Sequence, residues 1–180
     1  VIYCEAVSNP LLEIADIPKL SQVANNHDIK LMVDNTFSPI MISPIRLGAH
    51  IVVHSLTKYI NGTSDCVAGC VCSTQEFISQ LTDINSGASM LLGPVLDSYR
   101  AASIMKNIHS LHIRIKKHSE NAQYLAEHIE KLGCKVFYPG LKSHSGHKLL
   151  KEIMNDGFGF GGMLAIDVGT TEKANQLMAK

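Results

Sequence analysis

The sequence contains no tryptophan, and aromatic residues make up only 6% of its 180 positions. Its formal net charge is zero, and no block of like charges occurs along the chain. Nucleic acids and anionic membranes both attract concentrated positive charge, so we expect neither as a partner. The apolar run at the start, VIYC before Glu5, is far shorter than the roughly 20 residues of a membrane helix or the ~7–15 of a signal sequence. We therefore predict no targeting segment and a cytoplasmic location.

The cysteine pattern lacks the features of a disulfide framework or a metal site. The five cysteines are an odd number, and no two of them form a C-x-x-C pair. Cys70 and Cys72 lie in the alternating apolar stretch CVAGCVC. The pattern predicts reduced cysteines in the core and no bound metal.

What the chain does contain is an ordinary globular composition, 46% hydrophobic and 18% charged. Its first half alternates β-rich runs with helical periods, which favours an α/β fold whose mostly parallel sheet is flanked by helices. Strands are predicted in VIYCEAV, IKLMVDNT and HIVVHS and from Val67 to Cys72. A helix is predicted from its cap at Asp16 to about Asn26, with Pro18 near its first turn.

The second half begins with one long helical pattern, from about Pro94 to Leu132, which Gly133 closes. A helix of that length predicts a bridge between two domains. We assign residues 1–108 to a large domain, and residues 109–180 to the bridging helix and the start of a smaller α+β C-terminal domain. KVFYPG and GMLAIDV are the predicted strands of that second domain. The chain opens in a strand pattern and closes in a helical one, so we expect it to be a fragment.

Polar residues stand at the ends of two predicted strands. Asp34 ends one strand, and Lys58 follows the next strand 24 residues later. Ligands of open α/β sheets bind at the carboxyl ends of strands, so both residues are expected to face one crevice. Lys58 would form a Schiff base with pyridoxal phosphate, Asp34 would keep the pyridine nitrogen protonated, and the Ser55 and Thr57 hydroxyls would donate to the phosphate.

Simpler interpretations of the same residues stay open. An aspartate at a strand end is often only a cap for the next turn, here DNT, and a lysine after a strand is often a solvated charge. A plain ligand-binding domain without chemistry is then the alternative. SLTK matches the S-x-x-K of serine β-lactamases, but KTG and SDN are absent. The glycines at 157, 159 and 162 match G-x-G-x-x-G but precede a strand, so they predict a loop.

An ordered set of motifs runs through the chain: EAVSNP, ADIPKL, VDNTFSP, LGAHIVVHSLTKYINGTSD, AGCV and LLGPVLDSYRAA. This set resembles the Cys/Met-metabolism family of pyridoxal-phosphate enzymes over essentially all 180 residues. The resemblance implies a fold-type I transferase fold with pyridoxal phosphate as cofactor. SNP, HKLLK and GFGFGGML are similar to a plant-like subgroup of methionine γ-lyases. The implied reaction is γ-elimination of methionine, with cystathionine γ-lyase, cystathionine β-lyase and cystathionine γ-synthase as alternatives.

By matching position, the resemblance assigns the Schiff-base lysine to Lys58 and the partner of the pyridine nitrogen to Asp34. Ser55 and Thr57 match phosphate-contacting hydroxyls, and Asn9 matches a residue near the phenolic oxygen of the cofactor. Glu5 lies in the same turn as Asn9, after the first predicted strand, and is a possible further cofactor-binding residue.

The chain departs from the family pattern at His50, Leu56 and Thr63. None of these departures removes a catalytic group, but they make the resemblance less informative about which substrate the protein prefers. The family's ring-stacking tyrosine, the phosphate groups lent by a neighbouring subunit, and the arginine that binds the substrate carboxylate fall outside these residues. We therefore expect the 180-residue chain alone to be inactive, and the full-length protein to be a homo-oligomer, a dimer of dimers, that acts on a small sulfur amino acid. A truncated, non-catalytic subunit piece is a remote alternative.

Overall fold

Strands and helices alternate through the chain in a computed structural model that describes residues 1–179. The strands are β1 (Ile2–Glu5), β2 (Leu31–Asp34), β3 (Ile51–Ser55), β4 (Gly69–Cys72), β5 (Lys135–Phe137) and β6 (Ala165–Asp167). The helices are α1 (Ile17–Asn26), α2 (Gln75–Leu81), α3 (Ala88–Leu92), α4 (Ser98–Ile108), α5 (Leu111–Lys131), α6 (His147–Ile153) and α7 (Thr171–Met178). No helix within residues 1–179 combines the length and the apolar character needed to cross a bilayer.

The first four strands form one sheet in the order β1-β2-β3-β4. β1, β2 and β3 are parallel, and β4 returns antiparallel to β3. The predicted mostly parallel α/β sheet is therefore confirmed. In β2 the buried residues are Leu31 and Val33, and in β3 they are Ile51 and Val52. In β2 these buried residues alternate with the half-buried Met32 and Asp34, so one face of the strand is covered more deeply than the other.

Helix α1 forms where its capping residues predict it. The Asp16 side chain accepts a hydrogen bond from the Lys19 N–H (3.2 Å), which satisfies one of the free donors at the helix start. Pro18 lies in the first turn, and Ile17 and Ala24 are fully buried against the sheet. This helix covers one face of the large core.

The predicted single helix from Pro94 to Leu132 is wrong, because the chain forms two helices that meet at Ser110. Helix α4 begins only at Ser98, where the Asp97 carboxylate accepts from the Arg100 N–H (3.0 Å). At the break, the Ser110 hydroxyl donates to the Asn107 carbonyl (3.0 Å). A side chain that bonds to the nearby backbone competes with the helical pattern, which is the physical reason for the interruption. The assignment of residues 1–108 and 109–180 to two domains stays a prediction.

Buried residues form a large and a small cluster. The large cluster has 17 buried residues, drawn from the first sheet, α1, α4, the start of α5, α6 and the segments that connect the first three strands and follow β3. The small cluster has five, Ala122, Ala126, Val136, Tyr138 and Leu141, and it joins α5 to the antiparallel pair β5-β6. Helices α2 and α3, which the sequence patterns did not predict, contribute no buried residue.

All five cysteines are free thiols, as predicted, but none is fully buried, and only Cys4 and Cys66 pack against the large core as the sequence predicted. Cys72 and Cys134 are exposed, and the other three are only partly buried. Cys70 lies beside Cys72 on the outer strand β4, where burial and the neighbouring thiol raise the pKa of Cys70 to about 11. Alternation along an outer strand places residues at the sheet surface as easily as in the core.

Candidate functional site

The carboxyl ends of the three parallel strands meet at one edge of the first sheet. Glu5 at the end of β1 pairs in register with Asp34 at the end of β2, and Asp34 pairs with Val53 of β3. Ser55 ends β3 two residues further along. Because neighbouring parallel strands end together, side chains that are far apart in sequence are brought within reach of one ligand.

A cavity of about 140 Å³ lies at this edge. It is lined by Glu5, Val7, Asn9, Asp34, Thr36, Phe37 and Ser55. Glu5, Asn9, Asp34 and Ser55 are four of the six candidate residues that the sequence singled out. The structure thus brings these four together around one cavity.

Both carboxylate oxygens of Asp34 have partners. Oδ1 accepts from the Thr36 N–H (2.8 Å), and Oδ2 accepts from the Tyr3 hydroxyl (3.2 Å). The first contact is the turn-capping role that the sequence left open. Burial, and then the neighbouring Asp34 carboxylate, raise the pKa of the Tyr3 phenol, so that tyrosine stays a hydrogen-bond donor. Asp34 is therefore held in a fixed direction at the wall of the cavity.

Ser55 and Glu5 are fixed through the backbone near the cavity. The Ser55 N–H donates to the Thr36 hydroxyl (2.8 Å), so Thr36 connects the end of β3 to the turn after β2. The Glu5 carboxylate accepts from the Asn9 N–H (2.9 Å), which closes the turn that follows β1. Within residues 1–179, the Ser55 hydroxyl itself has no hydrogen-bond partner and remains able to donate to a ligand.

The lysine turn, which we define as Leu56–Ile60, follows Ser55 directly. It is a single wide helical turn in which the Asn61 N–H donates to the Leu56 carbonyl (3.0 Å). Lys58 lies in its middle with φ −91° and ψ −124°, away from helical values. Its side chain is exposed and does not line the 140 Å³ cavity. The structure thus places Lys58 in the turn next to the cavity residue Ser55.

Thr57 does not line the cavity either, because its hydroxyl serves the turn. Its Oγ1 donates to the Ala68 carbonyl (3.3 Å) and accepts from the Ala68 N–H (3.0 Å). The backbone N–H of Leu56 also donates to the Ala68 carbonyl (2.9 Å). Thr57 thereby fastens the lysine turn to the segment that leads into β4.

Sequence reasoning missed four of the residues around this edge: Tyr3, Val7, Thr36 and Phe37. Thr36 had a signal, since a threonine two residues after a strand-end aspartate is positioned for a turn around that carboxylate. The sequence signal for Tyr3 was weaker: it lies two residues before Glu5 in β1, so the two side chains share one face of the strand. Val7 and Phe37 carry no polar group that would have distinguished them from core residues.

The model of the Cys/Met metabolism PLP-dependent enzyme family matches residues 1–180. The chain belongs to this family. Pyridoxal phosphate is the cofactor of the family, and the expected fold and cofactor are confirmed by this membership.

Three relatives illustrate the range of the family. The chain is 46% identical to methionine gamma-lyase of Arabidopsis thaliana, over 99% of this chain and 41% of the relative. It is 44% identical to cystathionine beta-lyase of Lactococcus lactis, over 96% of this chain and 44% of the relative. The crystal structure of cystathionine gamma synthase from Xanthomonas oryzae pv. oryzae, in complex with aminoacrylate and cysteine, superposes with a TM-score of 0.87 and 34% identity, over 97% of this chain and 44% of that one. The chain spans less than half the length of the relatives it matches.

The residues at the sheet edge fit the family cofactor chemically. A carboxylate at the end of a central strand suits a ring nitrogen that has to stay protonated, and a hydroxyl without a partner suits a phosphate oxygen. Asp34 and Ser55 supply these two groups on the same cavity wall. No group of three or more histidine, cysteine, aspartate or glutamate side chains within residues 1–179 is arranged to hold a metal ion.

Proposed function

We propose that the full-length protein is a pyridoxal-phosphate-dependent carbon–sulfur lyase of sulfur amino acid metabolism, and that its reaction is the γ-elimination of methionine. The observation that carries the proposal is the cavity walled by Asp34 and Ser55, with the lysine turn directly after it. In the net reaction, methionine and water give methanethiol, 2-oxobutanoate and ammonia. The bonds to the γ-sulfur and the α-nitrogen break, and water supplies the carbonyl oxygen.

Each site residue has a role in this proposal. Lys58 would hold the cofactor covalently through its amine. Once the substrate amine has taken its place, the released Lys58 amine would take the proton from the substrate α-carbon, a general-base step that typically contributes ~10²–10⁴-fold. Asp34 would bind the pyridine nitrogen, Ser55 would donate to the phosphate, and Asn9 would lie near the phenolic oxygen of the ring. When bound, the cofactor withdraws electrons from the α-carbon.

Thr57 and Glu5 have less direct parts. The Thr57 hydroxyl reaches a phosphate oxygen only by giving up its bond to the Ala68 carbonyl, so we assign most of the phosphate contact to Ser55. Glu5 holds the turn that carries Asn9. We further propose that the complete protein is cytoplasmic and assembles as a homotetramer, a dimer of dimers, and that the 180-residue chain alone has no turnover.

A second candidate reaction is favoured by the relatives themselves. The cystathionine beta-lyase of Lactococcus lactis is nearly as similar, at 44% identity, as the methionine gamma-lyase of Arabidopsis thaliana, at 46%. Turnover of methionine, cystathionine and an O-acylhomoserine by the full-length protein, with the 2-oxo acid product identified, separates the γ-lyases, the β-lyase and the γ-synthase. Methionine as the best substrate is the expected result, and a preference for cystathionine with pyruvate as the product would replace the proposed reaction with the second.

The decisive experiment on the cofactor uses the full-length protein that contains these residues. The protein is loaded with pyridoxal phosphate and reduced with borohydride, and the pyridoxyl group is located by peptide mass mapping. We expect the label on Lys58, and we expect its loss in Lys58→Ala but not in Lys151→Ala, which changes an exposed lysine on α6. A folded, loaded protein whose label lies on another lysine, or that has no label, contradicts the assignment.

A further inference from the structure

The two ends of the lysine turn are held by different parts of the chain. At its start, the N–H groups of Leu56 (2.9 Å) and Thr57 (3.3 Å) donate to the Ala68 carbonyl. At its end, the carbonyl oxygens of Tyr59 and Ile60 both accept from the guanidinium of Arg114, in the first turn of α5. Lys58 lies between these two attachments.

Arg114 directs every one of its described hydrogen bonds to a neutral oxygen. Nη1 donates to the Tyr59 carbonyl (2.6 Å), and Nη2 donates to the carbonyls of Ile60 (3.2 Å) and Asn107 (3.4 Å). Nε donates to the Ser110 hydroxyl (3.0 Å). Within residues 1–179, Arg114 forms no ion pair with a carboxylate. Partial burial lowers the pKa of its guanidinium, which nevertheless remains charged because arginine is such a weak acid.

A buried amide network supports the same end of the turn. The Asn61 side chain, 1% exposed, accepts from the Asn107 amide (2.8 Å) and donates to the Asp65 carboxylate (2.7 Å). The Asn107 carbonyl in turn accepts from Arg114. The junction of α4 and α5 thus supports the residues that follow Lys58 through side-chain and backbone contacts together.

Gly62 shows how closely Arg114 packs on the turn. A Cβ atom at this position would lie 2.4 Å from Nη1 of Arg114, and the glycine has a φ of +77°. Its N–H donates to the Lys58 carbonyl (2.8 Å). Any larger residue there would push the guanidinium away from the carbonyl oxygens that it binds.

We propose that Arg114 is a positioning residue for Lys58: by binding the Tyr59 and Ile60 carbonyls, it sets the place and direction from which the lysine side chain leaves the backbone. This inference rests on the proposed role of Lys58 as the residue that holds the cofactor. The planar fork of a guanidinium can bind two neighbouring carbonyls in a fixed geometry, which an ammonium group cannot do. Because a displacement of about 1 Å can cost ~10²-fold in rate, this geometry has a functional consequence.

The test uses the full-length protein with Arg114→Met and Arg114→Lys. Two variants serve as controls: Ile115→Val loosens the same helix at a buried position, and Arg100→Met removes an exposed arginine that pairs only with Asp97 among the described residues. The first readout is the rate at which pyridoxal phosphate forms a borohydride-reducible bond with Lys58 in the apoprotein. The second is amide hydrogen exchange at Asn61 and Gly62. The third is the pH midpoint of the visible absorbance of the bound cofactor, which reports the proton on the Lys58 nitrogen.

We expect Arg114→Met to slow labelling of Lys58 by about tenfold or more, to speed exchange at Gly62 and to shift the pH midpoint. Arg114→Lys should restore the charge but recover labelling only in part, and both controls should stay near the unchanged protein. If Arg114→Met does not fold, Asn107→Ala removes the contact to Asn61 and should produce a smaller change in the same three readouts.

Two results overturn the inference, and they are distinguishable. Wild-type labelling rate and pH midpoint in Arg114→Met, or in Asn107→Ala if only that variant folds, would leave the proposed function intact and show that Arg114 has a purely structural role. An unlabelled Lys58 in the unchanged protein would instead remove the proposed function, and this inference with it.

Discussion

The two sheets of the molecule differ in the depth of their cores. The four-stranded sheet contributes Leu31 and Val33, both fully buried, to a cluster of 17 buried residues. The two-stranded sheet of β5 and β6 contributes only Val136, 9% exposed, to a cluster of five. The candidate site lies at the edge of the deeper sheet. A sheet that is packed against a large core gives its strand ends fixed positions, which a site built from several strands requires.

The largest effect is expected when a buried leucine is replaced by alanine in each of the two clusters, so that the same atoms are removed from both. Leu31→Ala in the large cluster should cost about 3–5 kcal/mol of unfolding free energy, while Leu141→Ala in the small cluster should cost nearer ~2 kcal/mol. Leu31 is fully buried within the large cluster, so its neighbours should relax less into the space left behind than those of Leu141 (4% exposed) in the smaller cluster. Chemical denaturation of the two variants of the full-length protein measures the difference. Equal losses would show that the two cores are equally rigid.

A smaller effect is expected from a buried hydroxyl in the small cluster. The Tyr138 hydroxyl, fully buried, donates to the carbonyl oxygens of Gly161 (3.0 Å) and Ser119 (3.3 Å). Tyr138→Phe leaves these carbonyls without that donor and should cost about 1–2 kcal/mol. Tyr59→Phe is the control, since the Tyr59 hydroxyl makes no hydrogen bond within residues 1–179, and its thermal midpoint should hardly change. A loss in Tyr59→Phe as large as in Tyr138→Phe would contradict this explanation.

The stability of the region around the first sheet should also depend on pH, through His54. Within residues 1–179, the buried Nδ1 of His54 in β3 has no hydrogen-bond partner, and burial lowers the pKa of its imidazole. The unfolded chain therefore binds a proton more readily, so stability is fully present above the ordinary histidine pKa and falls as the pH drops below it. His54→Leu should flatten the decline of the thermal midpoint between pH 7 and pH 5. An unchanged slope would mean that His54 is not the group responsible.

The smallest effect should come from the ion pair across the two-stranded sheet. Lys135 and Asp167 are cross-strand partners 3.9 Å apart, and their side chains are 67% and 47% exposed. Exposed pairs of this kind contribute roughly 0–1 kcal/mol and are screened by salt. Asp167→Asn should therefore lower the thermal midpoint only slightly at low ionic strength and not at all in 1 M salt, a change that a melting curve at two salt concentrations measures.

Much of the first sheet and of the cavity wall was predictable from local patterns. Apolar runs ended by polar residues located β2 and β3, and Asp16 with Pro18 located the start of α1. Asp34 and Ser55 stood out because ligands of open α/β sheets bind at the carboxyl ends of the strands, where both residues were predicted to lie. The length of the helix after Pro94 was not predictable in the same way, since the break at Ser110 depends on hydrogen bonds that periodicity does not reveal.

The sequence by itself determined the order and type of the main elements, and the residues at the strand ends that suit the family cofactor, because periodicity, caps and turn residues act over a few neighbouring positions. Only the tertiary structure decided that Thr57 bonds to Ala68 and that Arg114, 54 residues after Ile60, holds the end of the lysine turn. Such contacts join segments that are distant in sequence, and their geometry exists only once the sheet and the α4–α5 junction have packed together.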